Sequence, residues 1–424
     1  MKLTGHGKAE GVLSPDEIRA IFKEGIEGLP IDGRKVLVLT PDATRTIPLA
    51  QLFRLVVEFV RPRVARLDFM VALGTHPALS RQRLNAFFGL TEELRRGEFA
   101  GIEIFNHEWD NPAALARIGT LTSEVVEEIS EGRMSEEVPV DINRRIFDYD
   151  EVLVLGPTFP HEVVGFSGGD KYFFPGICGP EFLNFFHWLG ALITNVRIIG
   201  FKDTPVRRMI DKAMEFVPVL RHCMSLVTTR EGVKGAFIGE SAEAWSAAAD
   251  LSSEIHIVYK PRKYKLVLSI APDMYDDMWT AAKCMYKLEP VIEEGGTLII
   301  LAPHVTEISY THGKVIDEIG YHCRDYFLEN IDRFGEVPRG VMAHSTHLRG
   351  GGICKGGIEK CHVDVILATG IKEDRCRMVN LGFMDPASIN VSEYEGREDE
   401  GILVVHHAGE ILHRLESERV GRRG

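Results

Sequence analysis

The stretch KVLVLTPDATRTIP (35–48) decides the fold. A short, continuously apolar, β-branched run stops abruptly on Pro41 and Asp42. That is the pattern of a strand buried on both faces that delivers polar residues at its carboxyl end. RLDFMVALGTH (66–76), IEIFNH (102–107) and EVLVLG (151–156) repeat it. Between them, SPDEIRAIFKEGIEGL (14–29) and LAQLFRLVVEFV (49–60) have helical periodicity, the first with Ser14 as N-cap and Pro15 in the first turn. Strand–helix alternation predicts α/β layers with mostly parallel sheets. A second set, KLVLSIAP (265–272), GGTLIILAP (295–303), VDVILATG (363–370) and GILVVHH (401–407), follows a polar segment at 259–264. We therefore expect an N-terminal catalytic domain over 1–260 and a C-terminal α/β domain over 261–424, with the active site in the cleft between them. The extreme C-terminus is expected to pack back on the first domain, and the charged tail 414–424 to fray.

Composition narrows the function. Lys and Arg number 49 against 62 Asp and Glu, a net charge of −13. Phosphate backbones want a basic surface, so a nucleic-acid partner is disfavoured. Hydrophobic residues at 45% and charged residues at 26% fit a soluble globular chain. No apolar run approaches the roughly 20 residues that span a bilayer, so no membrane partner is expected. The start, MKLTGHGKAEGVL, lacks a secretory core, and seven cysteines contain no CxxC pair; both lead us to expect a cytoplasmic protein. Sixteen histidines are the feature to pursue.

Several of them fall at strand ends, where loops on a rigid sheet concentrate chemistry. The first strand delivers Asp42, Thr44 and Arg45; the next, Gly74, Thr75 and His76. After 151–156 come Thr158, Pro160 and His161, then FSGGDKYFFPG (166–176) with Lys171, and one helix later His187. Taken singly, Asp42 reads as a turn residue, Arg45 as a surface charge and each histidine as a satisfied hydrogen-bonding group. Their coincidence at successive strand ends favours a site. Gly168 and Gly169 permit a backbone turn suited to an anion, and apolar neighbours could desolvate Lys171 into a nucleophile. A glycine turn with a solvated lysine fits the same pattern. Neither the Walker A spacing nor G-x-G-x-x-G is present, and H-E-x-x-H is absent.

The ordered set DxTR (42–45), GTH (74–76), PHxxxxFSGGxKxxxPG (160–176) and His187 resembles the lactate racemase family, the nickel-pincer-dependent racemases and epimerases of 2-hydroxy acids. The resemblance covers essentially the whole chain. It implies that Lys171 forms a covalent thioamide link to a nickel-pincer nucleotide, pyridinium-3,5-bisthiocarboxylic acid mononucleotide, and that His187 ligates the nickel. It implies that His76 and His161 are paired acid/base groups on opposite faces of the substrate carbon. Arg45 would bind or polarise the substrate carboxylate, with Asp42 in the same polar shell beside Thr44. On physical grounds, backbone groups at Ser167, Gly168 and Gly169 are candidates for the cofactor phosphate. Cofactor-synthesis enzymes would be maturation partners.

In the second domain Lys283 matches a second active-site lysine. Thr280 stands where the family carries Gln, and Trp279 where it carries an aromatic residue. The blander reading of WTAAKCMYKL (279–288) is a core-facing helix. In HSTHLRGGG (344–352), His344 and His347 could line a substrate pocket, or the segment could be a glycine-rich surface loop. His107 could lie behind the site, and His406 and His407 read as structural strand residues. The expected activity is inversion of C2 of a 2-hydroxy acid by hydride transfer to the cofactor, an isomerase reaction. Because a histidine pair can serve both directions near neutral pH, the residue types suit it. The altered Thr280 contact points to a small-molecule substrate larger than lactate, such as a sugar acid (an aldonate). Two alternatives are a metal-dependent hydro-lyase or isomerase of sugar acids, and a binding protein for phosphorylated metabolites.

Overall fold

In the computed structural model the described residues are 2–42, 45–74 and 76–419. They form two compact units. The first contains residues 1–159, 166–183 and 202–255; the second contains 160–165, 184–201 and 256–424. A single cut near residue 260 therefore leaves two excursions, 160–165 and 184–201, on the other side. His161 and His187 ride on those excursions.

The first unit is built on seven strands: β1 (Thr4–Gly7), β2 (Lys35–Thr40), β3 (Arg66–Val71), β4 (Ile104–Asn106), β5 (Glu151–Pro157), β6 (Leu220–Thr229) and β7 (Gly232–Glu240), in the order β1-β7-β6-β5-β2-β3-β4. The run from β4 to β6 is parallel, and β7 and β1 add antiparallel strands at one edge. The apolar runs of β2, β3 and β5 are almost wholly buried. Helices α1 (Pro15–Glu27) and α2 (Leu49–Val60) turn their apolar stripes to the same core. Ser14 Oγ accepts from Glu17 N at 3.2 Å while Glu17 returns a bond to Ser14 N at 2.8 Å, a capping box that fixes where α1 begins. Phe22, Phe53, Phe69 and Phe88 are fully buried there, each contributing about 1.5–3 kcal/mol by apolar transfer. This rigid sheet holds the loops after β2, β3 and β5.

The second unit has its own all-parallel sheet of β8 (Tyr264–Ile270), β9 (Ile292–Ala302), β10 (Val363–Thr369), β11 (Gly382–Met384) and β12 (Ile402–Val405), ordered β11-β10-β9-β8-β12. Helix α3 (Pro180–Ile193) carries His187, and α4 (Arg339–Arg349) carries His344 and His347. The fold class expected from the sequence, α/β with mostly parallel sheets, is the one observed.

Three local expectations are corrected. HSTHLR is not a surface loop: His344 and His347 are buried on α4, and the helix ends before Gly350, whose φ of +79° a residue with a Cβ rarely adopts. His406 and His407 lie in the turn past β12 rather than in the strand; His406 Nε2 pairs with Glu395 Oε1 at 2.9 Å. The tail does not fray at its start. Leu412–Leu415 pairs in parallel with Ile257–Lys260, and Arg414, buried, donates to Ile199 O at 2.7 Å. Residues 420–424 lie outside the described chain.

Candidate active site

In the first unit the loops after β2 and β3 converge. Asp42, two residues past β2, is buried, and its Oδ2 lies 3.7 Å from Nε2 of His76, whose side chain is half-exposed. Gly74 adopts φ +56°, and its N–H donates to Gly176 O at 3.0 Å, tying this loop to the end of the glycine-lysine segment. The guanidinium of Arg45 sits 5.3 Å above the Phe159 ring, which orients it. Thr44 and Thr75 lie outside the described residues. His107, by contrast, is a structural residue. Its Nε2–H donates to Cys178 O at 3.0 Å, and Asn143 Nδ2 donates to its Nδ1 at 3.1 Å, while burial pulls its pKa down to about 4.

The segment after β5 is braced from several sides. Ser167 Oγ donates to Pro157 O and accepts from Phe159 N, each at 3.0 Å, and Trp245 Nε1 donates to Ser167 O at 2.9 Å. Arg207, buried, stacks 4.1 Å over that tryptophan. Gly168 and Gly169 have φ of +84° and +59°. A Cβ on Gly169 would meet the Trp245 side chain at 3.0 Å, and one on Gly168 would reach Thr158 Oγ1 at 2.5 Å. Both glycines are thus required by conformation and by close approach. Thr158 Oγ1 is itself buried without a hydrogen-bond partner, which is costly unless something supplies one. Lys171, half-buried, stands in the 3-10 turn Gly169–Tyr172.

The second unit gathers the other histidines. His161 Nδ1 accepts from Val163 N at 3.2 Å and lies 3.3 Å from Glu162 Oε2. On α4, His344 stacks flat on Trp279, ring centroids 3.6 Å apart, and its Nε2–H donates to Trp279 O at 2.9 Å. Desolvation holds His344 near pKa 3 and His347 near 4, so both rings are neutral at pH 7. The charges of Glu162 and His187 reach His347, and that of Glu162 reaches His344. His344 Nδ1 and His347 Nε2 are buried with no partner. Thr280 N–H donates to Asp277 Oδ1 at 2.9 Å, the N-cap bond of the short helix Met278–Ala281. The Lys283 ammonium lies 5.0 Å over the Tyr275 ring.

Sequence reasoning missed Glu162, Trp245 and His312, which packs 4.6 Å from Trp279. Glu162 had a signal, its place beside His161; the other two had none short of the fold.

Each unit thus carries a histidine–carboxylate pair, His76–Asp42 in the first and His161–Glu162 in the second. The family model described as lactate racemase N-terminal domain matches residues 19–197. The lactate racemase of Thermoanaerobacterium thermosaccharolyticum is 25% identical over 277 residues, 64% of this chain and 60% of that protein, so the match spans about three-fifths of the relative's length. The crystal structure of a Thermotoga maritima protein superposes with a TM-score of 0.84 at 33% identity, over 95% of this chain and 99% of that one. The lactate racemase apoprotein from T. thermosaccharolyticum gives a TM-score of 0.73 at 19% identity, over 97% and 94%, a likeness of fold. Residues 19–197 thus carry a lactate racemase N-terminal domain, and the chain is similar to lactate racemase.

Proposed function

We propose that the chain is an isomerase that inverts C2 of a 2-hydroxy acid, with a nickel-pincer nucleotide joined to Lys171 and nickel on His187. The observation that carries this reading is the duplication of one device. His76 has Asp42 at 3.7 Å and His161 has Glu162 at 3.3 Å, each on a different strand-end segment. A one-sided dehydrogenase needs one such pair; an enzyme that returns the substrate to either configuration needs two. The donors present suit the group: an imidazole for nickel, a lysine held among buried aromatics, and an unpartnered Thr158 hydroxyl beside the glycine turn. When bound, the nucleotide supplies an electrophilic hydride acceptor.

The chain's own residues do the rest. Arg45 binds the substrate carboxylate, for which a planar guanidinium is matched. Each histidine takes or returns the hydroxyl proton, and its carboxylate stabilises the imidazolium that forms. At His161, Nδ1 can accept from Val163 N–H, which leaves the ring proton on Nε2, or donate to Glu162, which frees Nε2 to take the substrate proton. Nε2 is left as the end that exchanges a proton. Lys283, Trp279 and the neutral His344 and His347 are assigned to the pocket for the rest of the substrate. Thr280 is shorter than the Gln that the family resemblance implies at this position, which favours an acid larger than lactate, such as an aldonate. We assign maturation to cofactor-synthesis enzymes and the location to the cytoplasm; no helix among the described residues is long and apolar enough to cross a membrane.

The test is a panel of lactate and aldonic acids incubated with cofactor-loaded protein, epimers being resolved by chromatography. Interconversion abolished by His76→Asn and by His161→Asn is expected. Turnover that survives both substitutions would overturn the proposal.

A further inference from the structure

A second cluster of reactive side chains shares no member with the histidines named above. Cys323, fully buried, precedes the short helix Arg324–Glu329; Cys361, half-buried, ends the hairpin strand Ile358–Cys361. Their sulfurs and the Glu359 carboxylate lie within 4.8 Å of one another. Such a trio could hold a soft divalent cation, but its surroundings argue otherwise. Arg349 Nε donates to Cys361 Sγ at 3.1 Å, placing a fixed positive charge on one of the prospective ligands. Both Glu359 oxygens are engaged: Oε1 accepts from Cys323 N at 2.6 Å, and Oε2 has His322 Nδ1 at 2.8 Å and Asn380 Nδ2 at 3.1 Å. A guanidinium against a partly exposed sulfur, with a second thiol beside it, is the environment of a reactive thiolate and its resolving partner.

We propose that Cys323 and Cys361 form a peroxide-oxidisable dithiol, with Cys361 the attacking thiolate and Cys323 the resolving thiol. The Cys361 sulfur displaces hydroxide from hydrogen peroxide and becomes a sulfenic acid. The Cys323 sulfur then attacks it, forming the disulfide and expelling a second hydroxide, which the thiol protons neutralise. Two thiols and one peroxide give one disulfide and two waters, and an added thiol reverses the change. The hydrogen bond from Cys323, reinforced by Arg349, lowers the Cys361 pKa, and the same bond with burial raises that of Cys323. The other five cysteines are set against this chemistry. Cys354 donates to Glu329 Oε2 at 2.9 Å, and that bond pushes its pKa up to about 11. Cys178, Cys223, Cys284 and Cys376 are buried and raised chiefly by desolvation.

The experiment treats the full chain with a small excess of hydrogen peroxide and maps it by non-reducing peptide mass spectrometry. A Cys323–Cys361 cross-linked peptide, reversed by dithiothreitol and absent in Cys361→Ser, is expected. In Cys323→Ser the intermediate should stop as a dimedone-trapped sulfenic acid on Cys361. Iodoacetamide should alkylate Cys361 at least about tenfold faster than Cys354, and Arg349→Met should slow it about tenfold, one unit of thiol pKa. Oxidation of Cys354 ahead of Cys361 would overturn the proposal. So would one zinc per chain that purifies with the wild type and is lost in Cys361→Ser, because it would make the trio a metal centre.

Discussion

The loop histidines and the helix histidines of this chain are the same residue in opposite settings. His76 and His161 stand on strand-end segments with a carboxylate at 3.7 and 3.3 Å. His344 and His347 are buried on α4 and stripped of charge, and each keeps one ring nitrogen without a partner. On the proposed function the first pair gains and loses a proton, while burial keeps the second neutral near pH 7. Environment, and not residue type, separates the two pairs.

The largest effect should come from the loop pair. His76→Asn or His161→Asn in the loaded enzyme is expected to lower kcat by about 10²–10⁴, the usual worth of a positioned acid/base group. The corresponding change at His344 should act mainly through substrate binding and raise KM. Equal kcat losses at both kinds of histidine would erase the distinction.

The buried set should instead appear in stability. Burial pulls His107, His344, His347 and His413 down to about 4, 3, 4 and 4, below the ordinary histidine value of 6.5. Their folded state therefore binds fewer protons than the unfolded chain. Their contribution is complete above pH 6.5 and is lost as pH falls toward 4, or toward 3 for His344, on the order of 3–5 kcal/mol for each. Urea midpoints of the apoprotein should drop across that window, and His107→Gln should flatten the drop. A midpoint constant from pH 7 to 4.5 would contradict the burial argument.

A smaller effect is expected at the glycine turn beside Lys171. Gly169→Ala combines φ +59° with a Cβ 3.0 Å from Trp245 and should cost about 1–3 kcal/mol. Gly74→Ala has φ +56° and nothing nearer than 4.0 Å, so only the backbone term of about 1 kcal/mol applies. Thermal midpoints rank the two. The smallest effect is at Glu162. Glu162→Gln should lower kcat about tenfold and shift the acid limb of the rate profile downward, since removing a nearby anion lowers the histidine pKa. An upward shift would break the pairing.

Much of this was legible in the sequence. Apolar runs ending on Asp42, His76 and His161 mark strands and the residues they deliver, because a buried parallel strand allows little else. What was not legible has physical causes. Residues 160–165 and 184–201 join the second unit without any break in composition, since a chain crossing between two α/β layers is as apolar as either. The sequence left the α4 histidines open between a substrate pocket and a glycine-rich surface loop, because the triple glycine after them masks the helix that Gly350 ends. Asp277 caps the short helix Met278–Ala281 by accepting from Thr280 N–H, a local cap that reading WTAAKCMYKL as a helix did not include.

The proposed function depends on Lys171 carrying the cofactor. The direct test is the intact mass and nickel content of the chain produced together with cofactor-synthesis enzymes. We predict a covalent adduct mapping to Lys171 and one nickel per chain, both lost in Lys171→Ala, with nickel alone lost in His187→Ala. An isomerase-active preparation whose Lys171 is unmodified would contradict the account.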